Sequence, residues 1–80
     1  MNKVFIVYSK DGCPYCTKVE QLLQLSEQRY VVYKLRREFQ VEDFYDEFGR
    51  SATFPQVKLN GEKLGGCMDT AKYLKENKFI

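Results

Sequence analysis

The chain has 80 residues, 44% of them hydrophobic, and no stretch rich in proline, glycine or serine, so it has room for one compact domain, residues 1–80. Its net charge of only +2 argues against a nucleic-acid binder held by bulk electrostatics. Met1-Asn2-Lys3 and the short apolar run that follows do not resemble a signal peptide, and no run is long enough to span a membrane, so we expect a cytoplasmic protein.

The first half of the chain predicts a strand, a helix and a second strand. Val4–Tyr8 is an unbroken apolar run of strand length, as in a strand buried on both faces of a parallel sheet. Pro14 suits the first turn of a helix, because its fixed φ is helical and the N–H that it lacks has no partner there. The apolar residues that follow share one helical face: Tyr15, Val19, Leu22 and Leu23. We expect this helix to end near Ser26, and Tyr30–Leu35 to form the second strand of a right-handed parallel unit.

The second half predicts a helix, a hairpin and a last helix. One helical face is formed by Val41, Phe44, Tyr45 and Phe48. Gly49 is placed to end that helix in the left-handed conformation. Asn60-Gly61 separates the strand-like runs Gln56–Leu59 and Glu62–Leu64, and both residues of this pair tolerate the positive φ of a type I′ turn. Asp69 is the expected N-cap of the last helix. The residues expected to pack inward in this part are Ala71, Leu74, Phe79 and Ile80.

Two cysteines, Cys13 and Cys16, lie where the first strand gives way to the first helix. Binding sites in open α/β sheets lie beyond the carboxyl ends of parallel strands, and a helix N-terminus or a cation such as Lys10 lowers the pKa of a nearby thiol. Cys16 lies one helical turn further in and should be less exposed, so we expect Cys13 to attack and Cys16 to resolve. Residues 1–37 contain seven basic and three acidic side chains, a net +4, which favours a small anionic partner at this end.

The cysteine pair alone is also compatible with half of a zinc site or with a structural bridge. A closed zinc site needs about four ligands, whereas this chain has three cysteines and no histidine. A bridge between residues so close in the chain closes too short a loop to constrain the unfolded state much. We therefore expect no metal and favour redox catalysis.

Three segments together resemble the signature segments of the dithiol glutaredoxins. They are Cys13-Pro14-Tyr15-Cys16 after a strand, Thr53-Phe54-Pro55 before the hairpin, and Gly65-Gly66-Cys67-Met68-Asp69 before the last helix. The resemblance covers essentially the whole chain and implies the α/β thioredoxin fold, βαβαββα, with a four-stranded mixed sheet of order 2-1-3-4. Three positions depart from the family pattern: Phe54 stands where valine is usual, Ala52 is an extra residue before Thr53, and Met68 stands where a polar residue is common.

The resemblance also implies roles for single residues. Cys13 is the nucleophile that becomes glutathionylated, and Tyr15 lines the glutathione groove. Pro55 follows a cis peptide bond and presents the backbone of Phe54 to the cysteinyl unit of glutathione. Lys10 faces the glycyl carboxylate, while the glycine turn and the N-terminus of the last helix hold the γ-glutamyl end. The implied glutathione-binding residues are Lys10, Tyr15, Thr53, Phe54, Pro55, Gly66, Cys67, Met68 and Asp69. Arg37 or Gln40 is implied as an additional contact, at positions where the alignment with the family is loose.

Some of these residues also have plainer interpretations. Cys67 is also explained as a small, partly buried residue that lies beside the site. Asp69 is also explained as the N-cap of the last helix alone. Tyr15 is also explained as a side chain that covers the core. The basic cluster formed by Lys34, Arg36 and Arg37 is typical of a solvated sheet edge.

The function that the resemblance implies is that of a glutathione-dependent thiol–disulfide oxidoreductase. It would reduce protein disulfides and glutathione mixed disulfides, with glutathione as co-substrate and no tightly bound cofactor. Expected partners are glutathione and disulfide-containing or glutathionylated proteins, a ribonucleotide reductase being one client by family analogy. We expect a monomer that binds neither nucleic acid nor membrane.

Two other functions remain open at this point. One is a thioredoxin-like electron donor that a reductase serves in place of glutathione. The other is a non-enzymatic carrier in which a dimer bridges an iron–sulfur cluster through Cys13 and glutathione, although Pro14 and Tyr15 crowd that position.

Overall fold

The elements follow the predicted order βαβαββα. The structure, a computed structural model, describes residues 3–80, so Met1 and Asn2, on which part of the signal-peptide argument depends, lie outside the described residues. The elements are β1 (Val4–Ser9), α1 (Pro14–Leu25), β2 (Arg29–Lys34), α2 (Val41–Phe48), β3 (Gln56–Leu59), β4 (Glu62–Gly65) and α3 (Cys67–Glu76). The strands form one mixed sheet of order β2-β1-β3-β4, which confirms the predicted fold.

The pairing of the strands places two loops at one edge of the sheet. β1 lies in the middle, parallel to β2 and antiparallel to β3, and β3 pairs antiparallel with β4. The predicted turn at Asn60-Gly61 is present, with φ of 50° and 88° at its two residues. Because β1 and β2 are parallel, the loops after Ser9 and Lys34 leave from the same edge of the sheet, and the first of them leads to Cys13.

One face of the sheet forms the main core together with α1 and α3. Successive residues of a strand point to opposite faces, and Phe5 and Val7, on the same face of β1, are fully buried. They belong to one cluster with Val19, Leu23, Val57, Leu59, Cys67 and Leu74. This packing fixes α1 and α3 relative to the sheet.

The opposite face of the sheet is covered less completely than the sequence predicted. Val4 and Ile6 are only half-buried, because α2, the one helix on this side within residues 3–80, has eight residues. Phe48 of that helix packs on Tyr8 with ring centroids 5.0 Å apart. Val41 is 41% exposed and does not belong to the inward face of α2 to which it was assigned. Gly49 ends the helix at the predicted position with a positive φ of 97°, although its ψ of 155° lies outside the left-handed helical region.

Helix α1 ends where predicted, with Ser26 as its C-cap, but its buried face is shifted. Its buried residues are Cys16, Val19 and Leu23. Tyr15, which the periodicity placed on that face, is 58% exposed. Tyr15 therefore borders a groove and not the core, although Cys16, its neighbour in the first turn, is 2% exposed.

The remaining boundaries differ from the prediction by one residue. β2 begins at Arg29 and ends at Lys34, while Leu35 forms only an isolated bridge with Phe39. β4 continues to Gly65. None of the helices within residues 3–80 has the length and apolar character needed to cross a membrane.

The last helix begins earlier than predicted. Its N-cap is Gly66, and Asp69 is the third residue of the helix, so the assignment of Asp69 as N-cap is wrong. The Asp69 carboxylate still caps the helix from inside, because it accepts a hydrogen bond from the Gly66 N–H at 3.1 Å. Phe79 packs against the core as expected, whereas Ile80 is 50% exposed and does not.

Candidate active site

The cysteine pair lies at the N-terminus of α1 in unequal environments. The two residues are joined by a disulfide with their Cα atoms 5.2 Å apart. Cys16 is 2% exposed and Cys13 is half-buried, which confirms the predicted difference in exposure. Cys13 is the N-cap of the helix, and its Sγ accepts a hydrogen bond from the Cys16 backbone N–H at 3.2 Å. This N–H and the positive end of the helix dipole stabilise negative charge on the Cys13 sulfur once the disulfide is reduced.

A groove of about 320 Å³ begins at the first turn of α1 and runs between the loop before β3 and the start of α3. Its lining residues are Tyr15, Thr53, Phe54, Pro55, Gln56, Gly65, Gly66, Cys67, Met68 and Asp69. The structure thus brings together eight of the nine residues that the resemblance implies for glutathione binding. Lys10 is the ninth and does not line the groove, whereas Gly65 lines it as part of the expected glycine turn, and Gln56 lines it without having been predicted.

The walls of the groove approach each other closely at Gly65 and Gly66. The peptide bond before Pro55 is cis, as the resemblance implied. A Cβ atom on Gly66 would lie 3.4 Å from the Pro55 carbonyl oxygen, and one on Gly65, where φ is +114°, would collide with the Asp69 carboxylate. A side chain at Gly65 is therefore excluded by both its positive φ and the Asp69 side chain, whereas a Cβ at Gly66 would just touch the opposite wall.

The N-terminus of α3 offers hydrogen-bond donors to the groove. The Gly66 carbonyl accepts bonds from the Thr70 N–H at 3.0 Å and from the Thr70 hydroxyl at 2.9 Å. The N–H groups of Cys67 and Met68 belong to the first turn, where helix geometry provides no carbonyl partner. Free N–H groups at the positive end of a helix dipole favour an anionic group. The Asp69 carboxylate lies beside these N–H groups and can accept a hydrogen bond from a cationic group.

An aromatic stack holds Lys10 near the groove. The ring of Phe54 lies 4.1 Å from that of Phe44, with the two planes within 7° of parallel, and Phe44 is 1% exposed. The Lys10 ammonium lies over the Phe54 ring, 5.2 Å from its centroid. Cations are attracted to the face of an aromatic ring by its quadrupole. Although Lys10 does not line the groove, its charge is therefore positioned by a residue that does.

Comparison with known proteins agrees with this geometry. The family model described as glutaredoxin matches residues 5–64, which is most of the chain and includes the cysteine pair and the Thr53-Phe54-Pro55 segment. The chain belongs to the glutaredoxin family. A glutaredoxin from Vernicia fordii is 36% identical over 78 residues, which cover 94% of this chain and 75% of that protein.

Two solved glutaredoxin structures show the same architecture. Reduced Escherichia coli glutaredoxin superposes with a TM-score of 0.78 at 27% identity, covering 96% of this chain and 99% of that one. A buckwheat glutaredoxin in complex with glutathione superposes with a TM-score of 0.77 at 26% identity, covering 94% of this chain and 71% of that one. Membership in this family makes the Cys13–Cys16 pair the redox centre of a thiol–disulfide oxidoreductase.

The third cysteine of this glutaredoxin is chemically different from the other two. Cys67 is free, 7% exposed and part of the hydrophobic core. Burial raises the pKa of its thiol, and the nearby positive charge of Lys18 offsets only part of this rise. A raised pKa means that Cys67 has less thiolate at pH 7 than an exposed thiol would have, so it reacts slowly with disulfides.

The basic cluster at the end of β2 lies at a solvated sheet edge, as predicted, and two of its members form surface ion pairs. Lys34 binds Asp11 at 3.0 Å, linking the end of β2 to the loop before Cys13, and this bond lowers the pKa of Asp11. Arg37 binds Glu38 at 2.7 Å. Neither Arg37 nor Gln40, the N-cap of α2, lines the groove. The two residues implied as additional glutathione contacts, Arg37 and Gln40, are therefore not among the groove residues.

Proposed function

We propose that glutathione is the reductant of this glutaredoxin and that its substrates are protein disulfides and glutathione mixed disulfides. The observation that carries this proposal is the groove beside the cysteine pair, whose lining contains eight of the nine implied glutathione-binding residues. The superposition on a glutaredoxin–glutathione complex adds support. The Cys13–Cys16 disulfide corresponds to the oxidised state of the proposed cycle.

The proposed pose of glutathione follows from the charges around the groove. Its γ-glutamyl carboxylate accepts hydrogen bonds from the first-turn N–H groups of α3, and its ammonium lies against the Asp69 carboxylate. The Phe54 backbone pairs with the cysteinyl unit as an added strand would. The glycyl carboxylate lies toward Lys10, and the glutathione sulfur faces Cys13.

Two routes use this pose. With a mixed disulfide, the Cys13 thiolate attacks the glutathione sulfur and releases the client thiolate. A second glutathione thiolate then attacks the Cys13–glutathione disulfide, which yields oxidised glutathione and free Cys13. With a protein disulfide, the Cys13 thiolate attacks one client sulfur, and Cys16 then attacks Cys13 and releases the reduced client. Two glutathione molecules reduce the resulting Cys13–Cys16 disulfide.

We further propose that the enzyme works as a monomer in the cytoplasm. A monomer in the cytoplasm, where glutathione keeps thiols reduced, suits a glutathione-driven cycle. A ribonucleotide reductase is a client by family analogy.

The source of electrons distinguishes this proposal from a thioredoxin-like donor. Reduction of a small disulfide should proceed with glutathione coupled to glutathione reductase, and should remain near the uncatalysed rate with NADPH and a thioredoxin reductase. Oxidation of NADPH, followed by its absorbance in parallel assays at equal enzyme concentration, measures both. Faster turnover with the thioredoxin reductase than with glutathione would favour the rival function.

The Phe54 ring should matter to substrate affinity through Lys10. In Phe54→Val, which restores the residue usual in the family, the cation–π contact is lost. Such a contact is worth about 0.5–1 kcal/mol at an exposed site, so the KM for a glutathionylated peptide should rise about two- to fivefold with little change in kcat. Steady-state kinetics of deglutathionylation measures both constants.

Phe54→Tyr is the matched control because it keeps the aromatic ring. It should retain the KM of the unmodified enzyme, and Lys10→Gln should raise KM in the Phe54→Tyr background but not in Phe54→Val. Equal effects of Lys10→Gln in the two backgrounds would show that the ring does not position the ammonium.

A further inference from the structure

A second groove lies along α3 and adjoins the first. It encloses about 370 Å³ and is lined by Met68, Ala71, Lys72, Lys75 and Ile80. Met68 also lines the groove proposed for glutathione. The two grooves therefore meet at Met68, and their combined lining is one surface that follows α3 away from the cysteine pair.

This surface exposes large apolar side chains. Tyr15 is 58% exposed and Met68 79% exposed at the first groove, and Ile80 is 50% exposed at the far end of the second. Contiguous exposed apolar groups indicate a surface that contacts another molecule. Methionine suits such a surface, because its flexible thioether adapts to different partners. The position of Met68, where a polar residue is common in the family, adds to the apolar character of this path.

The second groove is also positively charged. Neither Lys72 nor Lys75 takes part in an ion pair within residues 3–80. The acidic residues of the same helix lie elsewhere: Asp69 lines the first groove and binds the Gly66 N–H, and Glu76 lines neither groove. An apolar floor beside two unpaired ammonium groups is complementary to a segment that combines apolar and acidic side chains.

We propose that this second groove docks the client polypeptide next to its reacting cysteine and selects segments with an apolar side chain close to acidic ones. The inference rests on the proposed function, because it takes a disulfide or glutathionylated protein as the occupant. Lys72 and Lys75 lie four and seven residues beyond Met68, about 6 and about 10 Å along the helix. An extended segment covers that length in about three residues, so the acidic side chains belong within about three positions of the apolar one.

The test uses synthetic peptides with one glutathionylated cysteine. One has a leucine and two glutamates on each side of the cysteine, and its twin has lysines in place of the glutamates. We expect kcat/KM for deglutathionylation to be about three- to tenfold higher for the acidic peptide at low salt, with the difference shrinking as salt is added.

Charge reversal on the groove provides the matched comparison. Lys72→Glu and Lys75→Glu should each reduce the preference for the acidic peptide by up to about fivefold. Arg29→Glu makes the same change in charge on the edge strand β2, across the sheet from β4, and should leave the preference unchanged. All three variants should reduce a small glutathione mixed disulfide at the rate of the unmodified enzyme. Ile80→Ser should lower kcat/KM for both peptides, because it removes part of the apolar floor of the groove.

The outcomes separate the docking surface from the proposed function. Equal kcat/KM for the two peptides, or an unchanged preference in both lysine variants, would overturn the docking surface while small-substrate turnover still supported the proposed function. Failure of the enzyme to reduce the small mixed disulfide would refute the proposed function. In that case an NMR titration still tests docking. It uses the same two peptides with serine in place of the cysteine, and only the acidic peptide should shift the amide signals of α3. A dimer that Ile80→Ser dissociates would instead assign the groove to a second copy of the chain.

Discussion

Cys13→Ser should lose all turnover, with protein disulfides and glutathione mixed disulfides alike. Both routes begin with attack by the half-buried Cys13 sulfur, and a serine oxygen cannot form the mixed disulfide that follows. The rate in the glutathione-coupled assay should fall to the uncatalysed background.

The loss should not arise from unfolding. Cys13 is the N-cap of α1, and serine is a preferred N-cap whose hydroxyl can accept the bond that the Cys16 N–H donates to sulfur. Thermal unfolding of the reduced variant, compared with the reduced parent protein, should therefore show a similar Tm. Turnover above background in a folded Cys13→Ser protein would exclude Cys13 as the nucleophile.

Cys16→Ser should separate the two activities. Deglutathionylation needs only Cys13 and a second glutathione, so it should continue at a rate of the same order as that of the parent. Reduction of a protein disulfide needs Cys16 to attack Cys13 from a Cα distance of 5.2 Å, an intramolecular step that a dilute external thiol replaces poorly. That activity should fall toward the rate found for Cys13→Ser. Parallel assays with a glutathionylated peptide and with a disulfide-bonded protein measure the separation.

Cys16→Ala is the companion variant, because Cys16 is 2% exposed and serine buries a hydroxyl there. The two variants should give the same separation of activities if it reflects loss of the thiol. Retention of protein-disulfide reduction in both would mean that Cys16 does not resolve the mixed disulfide. A parallel loss of both activities in well-folded protein would contradict the one-thiol route.

The fold could be predicted from the sequence because its signals are local. Pro14 marks the start of α1, Asn60-Gly61 marks the hairpin, and the apolar run at Val4–Tyr8 marks the central strand. Each lies within one residue of the observed element. The sheet order and the groove residues depended on the three family-like segments, since residues as distant as Tyr15 and Met68 meet only in the folded chain.

The errors share a physical cause. Periodicity indicates which side of a helix faces inward, but not how far its partner extends. Tyr15 and Val41 lie in the first turns of α1 and α2, where no neighbouring element covers them, and both are exposed. Ile80 similarly lies beyond the end of α3. The contact of Lys10 with Phe54 was missed because residues 44 positions apart show no local signal of their pairing.

The aromatic stack shows how one substitution changes more than a single contact. Phe54 occupies a position where the family usually has valine, and its ring connects buried Phe44 to the Lys10 ammonium. Its backbone still lies in the groove wall. Substrate affinity can therefore change at this position without any change in the cysteine chemistry, which makes kcat and KM the informative quantities for Phe54 variants.

The most direct measurement of the central claim is the site of glutathionylation in Cys16→Ser. After reaction with oxidised glutathione at pH 7, mass spectrometry of the digested protein should find one glutathione per chain, on the peptide that contains Cys13, and excess reduced glutathione should remove it. Cys67 should remain unmodified, because it is 7% exposed and burial raises the pKa of its thiol. Modification of Cys67 with Cys13 left free, or no adduct at all, would contradict the account.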